Sequence, residues 1–586
     1  MRQWMVAAKK ADFYAIAEKF HVDPVVARII RNREVIGEKN IRIYLGGNLS
    51  DLSDPHQMKD MDRLVEILAQ KIRKQAHIRI IGDYDVDGVT SSHLFLTALR
   101  RVGAKVDVVI PHRIQDGYGL SLHLLQQAKE DGVDTILTCD NGIAAIDEIA
   151  WAKAQKMTVL VTDHHAVPFE EHEGRRTEKK SLADAVVNPH QQDCGYPYKE
   201  LCGAGVAWNV IRVLYENYDM DKREAEDLLD FVAMATVCDV MSLTGENRIL
   251  VKEGLKRIRH TKNIGLQALM QACNVQPENI SAYHFGYVLG PCVNATGRLD
   301  TARHALRLFE TGQETEAEEI ARDLVDLNQE RKELTLQGVE MAKKLCEEGG
   351  YENDPILVLF LPDVHESIAG LIAGRIREMY NRPVFVLTRG EEGVKGSGRS
   401  TENYSMYENM CGCAELFTKF GGHPMAAGLS LPEENVEKFR RKINENCPLT
   451  VEEVCPDIHI DMAMPVGYAS TELVHQFALL EPFGKDNPSP LFADRNLSIS
   501  RMWLIGKNRN VLRMSVLSEY GQPVPVIFFG DVETLFAYFT EKFGQEEVEN
   551  ALHGRKNRIL FSMVYTAKID FYQGNENLQL EMKYYR

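Results

Sequence analysis

The stretch Ile78–Gly88 reads IRIIGDYDVDG. An apolar run of strand type, Ile78 to Ile81, ends at Gly82. Three aspartates then alternate, Asp83, Asp85 and Asp87, before Gly88 opens the next segment. Alternate positions of an extended chain point to one side, so these carboxylates can gather. Gathered, they repel one another, and a divalent cation held by oxygen ligands is the usual counter-charge. An acidic turn with one Asp capping the following helix accounts for one aspartate but not for three.

Downstream, the pattern of strand, polar loop and helix repeats. Strands are expected at Val106–Ile110, Thr135–Leu137, Thr158–Val161 and Ala185–Val187, with helices at Val89–Val102 and Ser121–Lys129. Short apolar strands alternating with such helices indicate a parallel sheet covered on both faces. Ligands of such sheets sit beyond the carboxyl ends of the strands. The polar clusters Asp83–Asp87, Thr138-Cys139-Asp140 and Thr162-Asp163-His164-His165 all fall at such ends. Carboxylates with imidazole and no thiolate suit Mn²⁺ or Mg²⁺ better than zinc. This donor set is large enough for two ions sharing a carboxylate, the usual device for in-line attack on a phosphodiester.

The rest of the chain divides by pattern. Residues 1–75 read as an N-terminal helical segment, with Asp23-Pro24 opening one helix and an apolar face at Met61, Leu64, Val65, Leu68 and Ile72. The first α/β lobe is expected over 76–310, its later part helical. There Asp239 follows an apolar helix and by itself resembles a surface residue. Residues 311–350 read as a linker helix with an apolar stripe, and 351–450 as a second α/β lobe. That lobe carries two Gly-rich stretches, 396–400 and 421–428, expected as loops whose backbone N–H groups approach phosphate. Residues 451–586 alternate strands and turns, an OB-like barrel of the type that binds single strands. Trp503, Phe528, Phe529 and Tyr565 are its candidate stacking residues, at least half of them expected in the core. The fold class is thus α/β, two lobes joined by a long helix, plus a β-barrel.

Bulk properties bound the class. The net charge of −17 excludes a generally basic coat, though not a local basic groove. The 11 cysteines are dispersed, and Cys411-Gly412-Cys413 has no second pair with which to hold zinc. No apolar run reaches the roughly 20 residues of a membrane span, and the N-terminus lacks a signal-peptide core. A cytoplasmic, reduced chain is expected.

DYDVDG, TCDNG, VTDHH and VCDVMSL resemble, in order, the four motifs of the DHH phosphoesterase superfamily. PHRIQDGYGL (111–120), LCGAGVAW (201–208), GPCVNATGRL (290–299), KGSGRS (395–400), GGHPMAAGLSL (421–431) and EPFGKDNPSP (481–490) narrow the resemblance to the bacterial RecJ single-stranded-DNA exonucleases. It runs from about residue 40 to the C-terminus, with DHH and DHHA1 lobes. It implies a nuclease removing mononucleotides from a 5′ end, in DNA repair and recombination. By motif, Asp85, Asp87, Asp140, His164 and Asp239 would hold two Mn²⁺ or Mg²⁺ ions, supported by Asp83. His165 would lie against the scissile phosphate and Asp163 would orient a histidine. Arg113, Arg298, Ser397 and Arg399 resemble the pocket for the terminal 5′ phosphate, with His423 lining the same cleft. The sequence departs from the family at Cys292-Val293, where a basic residue and leucine are usual, and at DVHESIAG (363–370). Helicases and single-strand-binding proteins are the partners implied, and nothing demands more than a monomer. Two other functions compete. A phosphodiesterase for short oligoribonucleotides or cyclic dinucleotides would not need residues after 455. A non-catalytic strand-binding scaffold would not need every metal ligand.

Overall fold

The computed structural model describes residues 3–586 apart from 114–115, 118, 173–174, 391–392, 507–509 and 573. Ile114, Gln115 and Tyr118 of the PHRIQDGYGL motif therefore lie outside the described residues. Two compact units are present, one of residues 48–456 and one of residues 3–47 with 457–586.

The first unit is built on a five-stranded parallel sheet. Its strands are β1 (His77–Ile81), β2 (Lys105–Val109), β3 (Thr135–Cys139), β4 (Thr158–Thr162) and β5 (Ala185–Val187), in the order β2-β1-β3-β4-β5. Side chains alternate between faces. Ile78, Ile80, Leu137 and Leu160 enter one core, beside helix α1 (Val86–Arg101) and helix α2 (Gly203–Asn217). Ile81, Ile136, Val159 and Val161 enter a second core on the opposite face. Burial on both sides explains why these strands are apolar runs rather than alternating ones. Because β1, β3 and β4 are neighbours, the loops leaving their carboxyl ends lie about 5 Å apart, strand to strand. Asp83–Asp85, Asp140 and Asp163–His165 are carried on those three loops, and Asp87 on the first turn of α1.

Helix α3 (Leu229–Cys238) ends at Asp239, and helix α4 (Ile264–Ala272) follows. GPCVNATGRL, whose glycines suggest irregular structure, is instead helix α5 (Gly290–Leu299). Pro291 stands in its first turn, where a missing N–H costs nothing, and Val293, Ala295 and Thr296 are buried. Helix α6 (Glu314–Glu348) has 35 residues, about 50 Å of helix. Its first half puts Ile320 and Leu324 into the core of the first lobe. Its second half puts Val339, Ala342 and Cys346 into the core of the second.

The second lobe is a sheet of β6 (Leu357–Phe360), β7 (Val384–Gly390), β8 (Gly393–Arg399), β9 (Lys419–His423) and β10 (Ala426–Leu431), ordered β9-β10-β8-β7-β6. Helix α7 (Ala369–Tyr380) lies between β6 and β7 in the chain. The two Gly-rich stretches are therefore strands, and only the turn at 424–425 between β9 and β10 is a loop. The expectation of backbone phosphate cradles is corrected accordingly, since β8 is hydrogen-bonded on both edges, to β7 and β10. Glycine is needed there for packing: a Cβ on Gly398 would lie 2.3 Å from the Met406 sulfur.

In the second unit, β11 (Phe492–Ile505), β12 (Val511–Leu517), β13 (Pro523–Phe528), β14 (Leu560–Tyr572) and β15 (Asn575–Tyr585) close into a ring through the β11–β14 pairing. Helix α8 (Val532–Phe543) interrupts it. Residues 1–75 do not form one segment. Val26, Ile29 and Ile30 of the helix Pro24–Asn32 share a core with the barrel. Arg33 pairs with buried Asp461 at 2.7 Å, and Asp23 N–H donates to Gln476 at 2.7 Å. Residues from 48 onward, chiefly the helix Met61–Arg73, pack into the first lobe instead. An apolar helix face announces burial but not its partner, so the sequence pattern alone cannot separate these helices. Phe528 and Tyr565 are core residues, whereas Phe529 is 59% exposed and Trp503 is half-buried beneath Arg501. No helix among the described residues is long and apolar enough to cross a membrane.

Candidate metal centre and phosphate pocket

Three overlapping groups of ligand atoms form at the strand ends: Asp83, Asp85 and Asp140; Asp87, His164 and Asp239; Asp140, His164 and His165. Within each group the atoms lie within 4.8 Å of one another. His164 Nε2 is 3.1 Å from Asp140 Oδ1, 3.6 Å from Asp239 Oδ2 and 3.7 Å from Asp87 Oδ2. Asp140 and His164 each belong to two groups, the arrangement two neighbouring cations require. Buried Asp83 Oδ1 and His164 Nε2 have no hydrogen-bond partner among the described residues. Buried polar atoms are normally satisfied, and a cation would satisfy both.

The surrounding backbone holds these groups in place. Asp85 caps α1, accepting from Gly88 N–H at 3.0 Å. Asp87 sits on the N-terminus of α2, accepting from the Gly203 and Ala204 N–H groups at 2.6 and 2.8 Å. The end of a helix favours a negative charge there. Position 203 must be glycine, because a Cβ would lie 2.6 Å from that of Asp140. Asp163 accepts from the His164, His165 and Ile143 N–H groups and from His165 Nδ1 at 2.7 Å. Its oxygens are thus occupied, and it orients His165 from behind. Asn188 ties the His165 carbonyl at 2.9 Å. Asn141 ties the Ile81 and Cys139 carbonyls at 3.0 and 2.9 Å, joining β1 to β3 below the cluster.

Charge is concentrated against its own preference. Burial, then Asp85, pushes the Asp83 carboxyl well above the usual range. Burial, then Asp87 and Asp85, does the same to Asp140. Burial opposes the His165 charge, but Asp163 and the nearby carboxylates outweigh it and raise this imidazolium to about 9. Burial also opposes ionisation of Asp163, yet the hydrogen bond from His165 leaves its pKa below the usual value.

A second site of opposite sign begins one residue away. Tyr84, between Asp83 and Asp85, lines a cavity of about 510 Å³ with Arg113, Arg298, Ser397 and Arg399. Arg113 stacks 4.9 Å over the Tyr84 ring. Arg298 donates to the Ser367 carbonyl at 2.8 Å. Burial, then Arg113, Arg331 and Arg399, lowers its pKa to about 10. Burial, then Arg377 and Arg113, lowers that of Arg399. Arg399 donates to Ser397 Oγ at 3.2 Å. Guanidiniums crowded in this way suit an anion, and such groups can hold a phosphate in bidentate fashion.

Family models match three segments: the DHH family N-terminal domain at 77–236, the DHHA1 domain at 353–447 and the RecJ OB domain at 460–584. The single-stranded-DNA-specific exonuclease RecJ of Haemophilus influenzae is 32% identical over 582 residues, 96% of each chain. The chain belongs to the RecJ family of single-stranded-DNA-specific exonucleases. The RecJ of Bacillus subtilis is 33% identical over 87% of this chain, and the match spans 63% of that longer relative. The crystal structure of RecJ from Thermus thermophilus in complex with Mn²⁺ superposes with a TM-score of 0.81 at 25% identity. That match covers all of this chain and 79% of the other.

Within this RecJ-family fold the eight candidates Asp83, Asp85, Asp87, Asp140, Asp163, His164, His165 and Asp239 converge. Arg113, Arg298, Ser397 and Arg399 converge on the cavity, and His423 does not: it is exposed at the end of β9 and absent from the lining. Lys395 and Lys419 line the cavity too, and Lys395 pairs with Glu366 at 2.9 Å. Sequence reasoning assigns no role to these lysines, to the Gly203 and Ala204 amides, or to Asn188. The amides leave a faint signal, Cys-Gly-Ala-Gly at a helix start. Lys395 opens the KGSGRS motif, whereas Lys419 and Asn188 leave none.

Proposed function

We propose that the chain hydrolyses single-stranded DNA from its 5′ end, releasing mononucleotides, with two Mn²⁺ or Mg²⁺ ions in the acidic cluster. The observation carrying this reading is that Tyr84 links the two sites, its neighbours Asp83 and Asp85 on the cluster and its ring in the cationic cavity. A terminal phosphate held by Arg113, Arg298, Ser397 and Arg399 would present the adjacent phosphodiester to the cluster, and the 5′ polarity is what the RecJ resemblance implies. Asp85, Asp87, Asp140, His164 and Asp239 would hold the ions, with Asp83 supporting them. When bound, the ions supply a pair of Lewis acids that activate water and neutralise charge on the phosphoryl oxygens.

The protein's own groups then have distinct tasks. The α2 N-terminus fixes Asp87 through the Gly203 and Ala204 N–H groups. Asp163 holds His165 by Nδ1, leaving Nε2 for the scissile phosphate, where a positive imidazolium stabilises developing charge. A partner helicase and a single-strand-binding protein fit a substrate that must first be opened and kept open. A reducing, cytoplasmic setting suits 11 cysteines that are all free.

The test is digestion with Mn²⁺ of a single strand labelled at either end, beside a duplex and a dinucleotide. Early release of the 5′ label as mononucleotide, with the duplex spared, is the expected result. Cleavage of the dinucleotide alone would reassign the protein to small substrates. Binding without cleavage would make it a scaffold.

A further inference from the structure

The departure at Cys292 has a structural counterpart outside the nuclease machinery. Cys273 immediately follows α4, Cys292 lies in α5, and their sulfurs are 3.8 Å apart. Cys292 is 2% exposed, whereas Cys273 is partly open to solvent. Asn328 of α6 donates to the Cys292 sulfur at 3.3 Å, and that thiol contacts the Val288 carbonyl at 3.3 Å.

The two sulfurs differ in reactivity. The hydrogen bond from Cys292, with Lys332 nearby, holds the Cys273 thiol below its ordinary pKa against the effect of burial. The same contact, with burial, raises Cys292. A partly exposed, low-pKa thiol next to a buried resolving thiol is the arrangement of oxidation-sensitive pairs.

We propose that Cys273 and Cys292 form a modification site that closes to a reversible disulfide under a peroxide. The Cys273 thiolate attacks one peroxide oxygen; an S–O bond forms, the O–O bond breaks and hydroxide leaves. The Cys292 sulfur then attacks the Cys273 sulfenic sulfur. The S–S bond forms, the S–O bond breaks, and the departing hydroxide takes the Cys292 proton as water. The thiols lose two electrons and the peroxide gains them. The sulfurs must close from 3.8 Å to about 2.05 Å. The inference does not depend on the nuclease reading.

The test exposes the full-length reduced protein to hydrogen peroxide, blocks free thiols with N-ethylmaleimide and maps the unreduced digest by mass spectrometry. The expected product is a Cys273–Cys292 cross-linked peptide, lighter by two hydrogens and lost on dithiothreitol. It should form several-fold faster than oxidation of Cys411, the exposed thiol that serves as internal reference. A Cys292→Ser variant, with melting temperature checked, should stop at a Cys273 sulfenic acid captured by dimedone. Recovery of both cysteines alkylated while Cys411 is oxidised overturns the proposal. So does oxidation of Cys273 to sulfinic acid without cross-link in the wild type, or an unreactive Cys273 in a folded Cys292→Ser.

Discussion

The metal centre and the phosphate pocket are two crowds of like charge on either side of Tyr84, and they are assembled differently. The acidic ligands come mostly from three adjacent strand ends of one sheet, so a single local topology brings them together. The arginines come from a loop of the first lobe, from α5 and from β8 of the second lobe. In both, the folded chain holds groups of like charge whose mutual repulsion a ligand of opposite charge would relieve. The difference teaches that, on the proposed reading, the chemistry is local while recognition of a strand's end would depend on two lobes joined by α6. Mutations should therefore separate the two: cluster variants lose turnover, and pocket variants lose end selection.

The largest expected effect is that of Asp140→Ala, since Asp140 belongs to two ligand groups. Hydrolysis should fall to background while strand binding, measured by fluorescence anisotropy, stays near that of the wild type. Near-normal turnover in this variant would refute the two-ion assignment. Asp163→Asn comes next. It leaves the ligand atoms in place but weakens the hold on His165, and such supporting groups typically contribute about 10–100-fold. A loss in kcat of that size with KM nearly unchanged is expected; an unchanged kcat would remove Asp163 from the site. Arg399→Ala should act mainly on KM for 5′-phosphorylated strands. A charge-assisted hydrogen bond of about 1.5–3 kcal/mol corresponds to roughly tenfold or more, while strands ending in a hydroxyl should respond little. Equal loss on both substrates would place the terminal phosphate elsewhere.

Which parts of this are legible in sequence follows from the same contrast. Alternation of strand and helix, with polar clusters at strand ends, announces the first sheet and seven of its eight acidic-site residues. Asp239 is not visible by pattern, because a helix end after an apolar run is commonly solvent-exposed; only the motif resemblance assigns it. The second lobe is harder. Glycines at Gly396 and Gly398 look like loop signals, yet here they let β8 pack beneath Leu387 and Met406. The glycines of 290–299 disguise a helix in the same way. The long helix α6 is legible because its apolar stripe persists over 35 residues. The placement of the N-terminal helices is not, since Asp23 and its partner Gln476 are separated by 453 positions.

The smallest expected effect tests the idea that the cluster is strained by its own charge. Asp83 is buried, its Oδ1 lacks a partner among the described residues, and burial together with Asp85 resists its ionisation. Asp83→Asn keeps the shape and removes the charge. In a chelator the variant should therefore melt higher than the wild type, by about 1 °C for each kcal/mol relieved. On adding Mn²⁺ the order should reverse, because a ligand bound only by the folded state stabilises it in proportion to its affinity, and the variant has one carboxylate fewer. The phosphate pocket offers the mirror experiment: inorganic phosphate should raise the wild-type melting temperature and do so less in Arg399→Ala. If Asp83→Asn melts lower than the wild type in chelator, the Asp83 charge is already balanced within the protein, and the acidic cluster is not held open for cations in the way the arginine pocket is held open for phosphate.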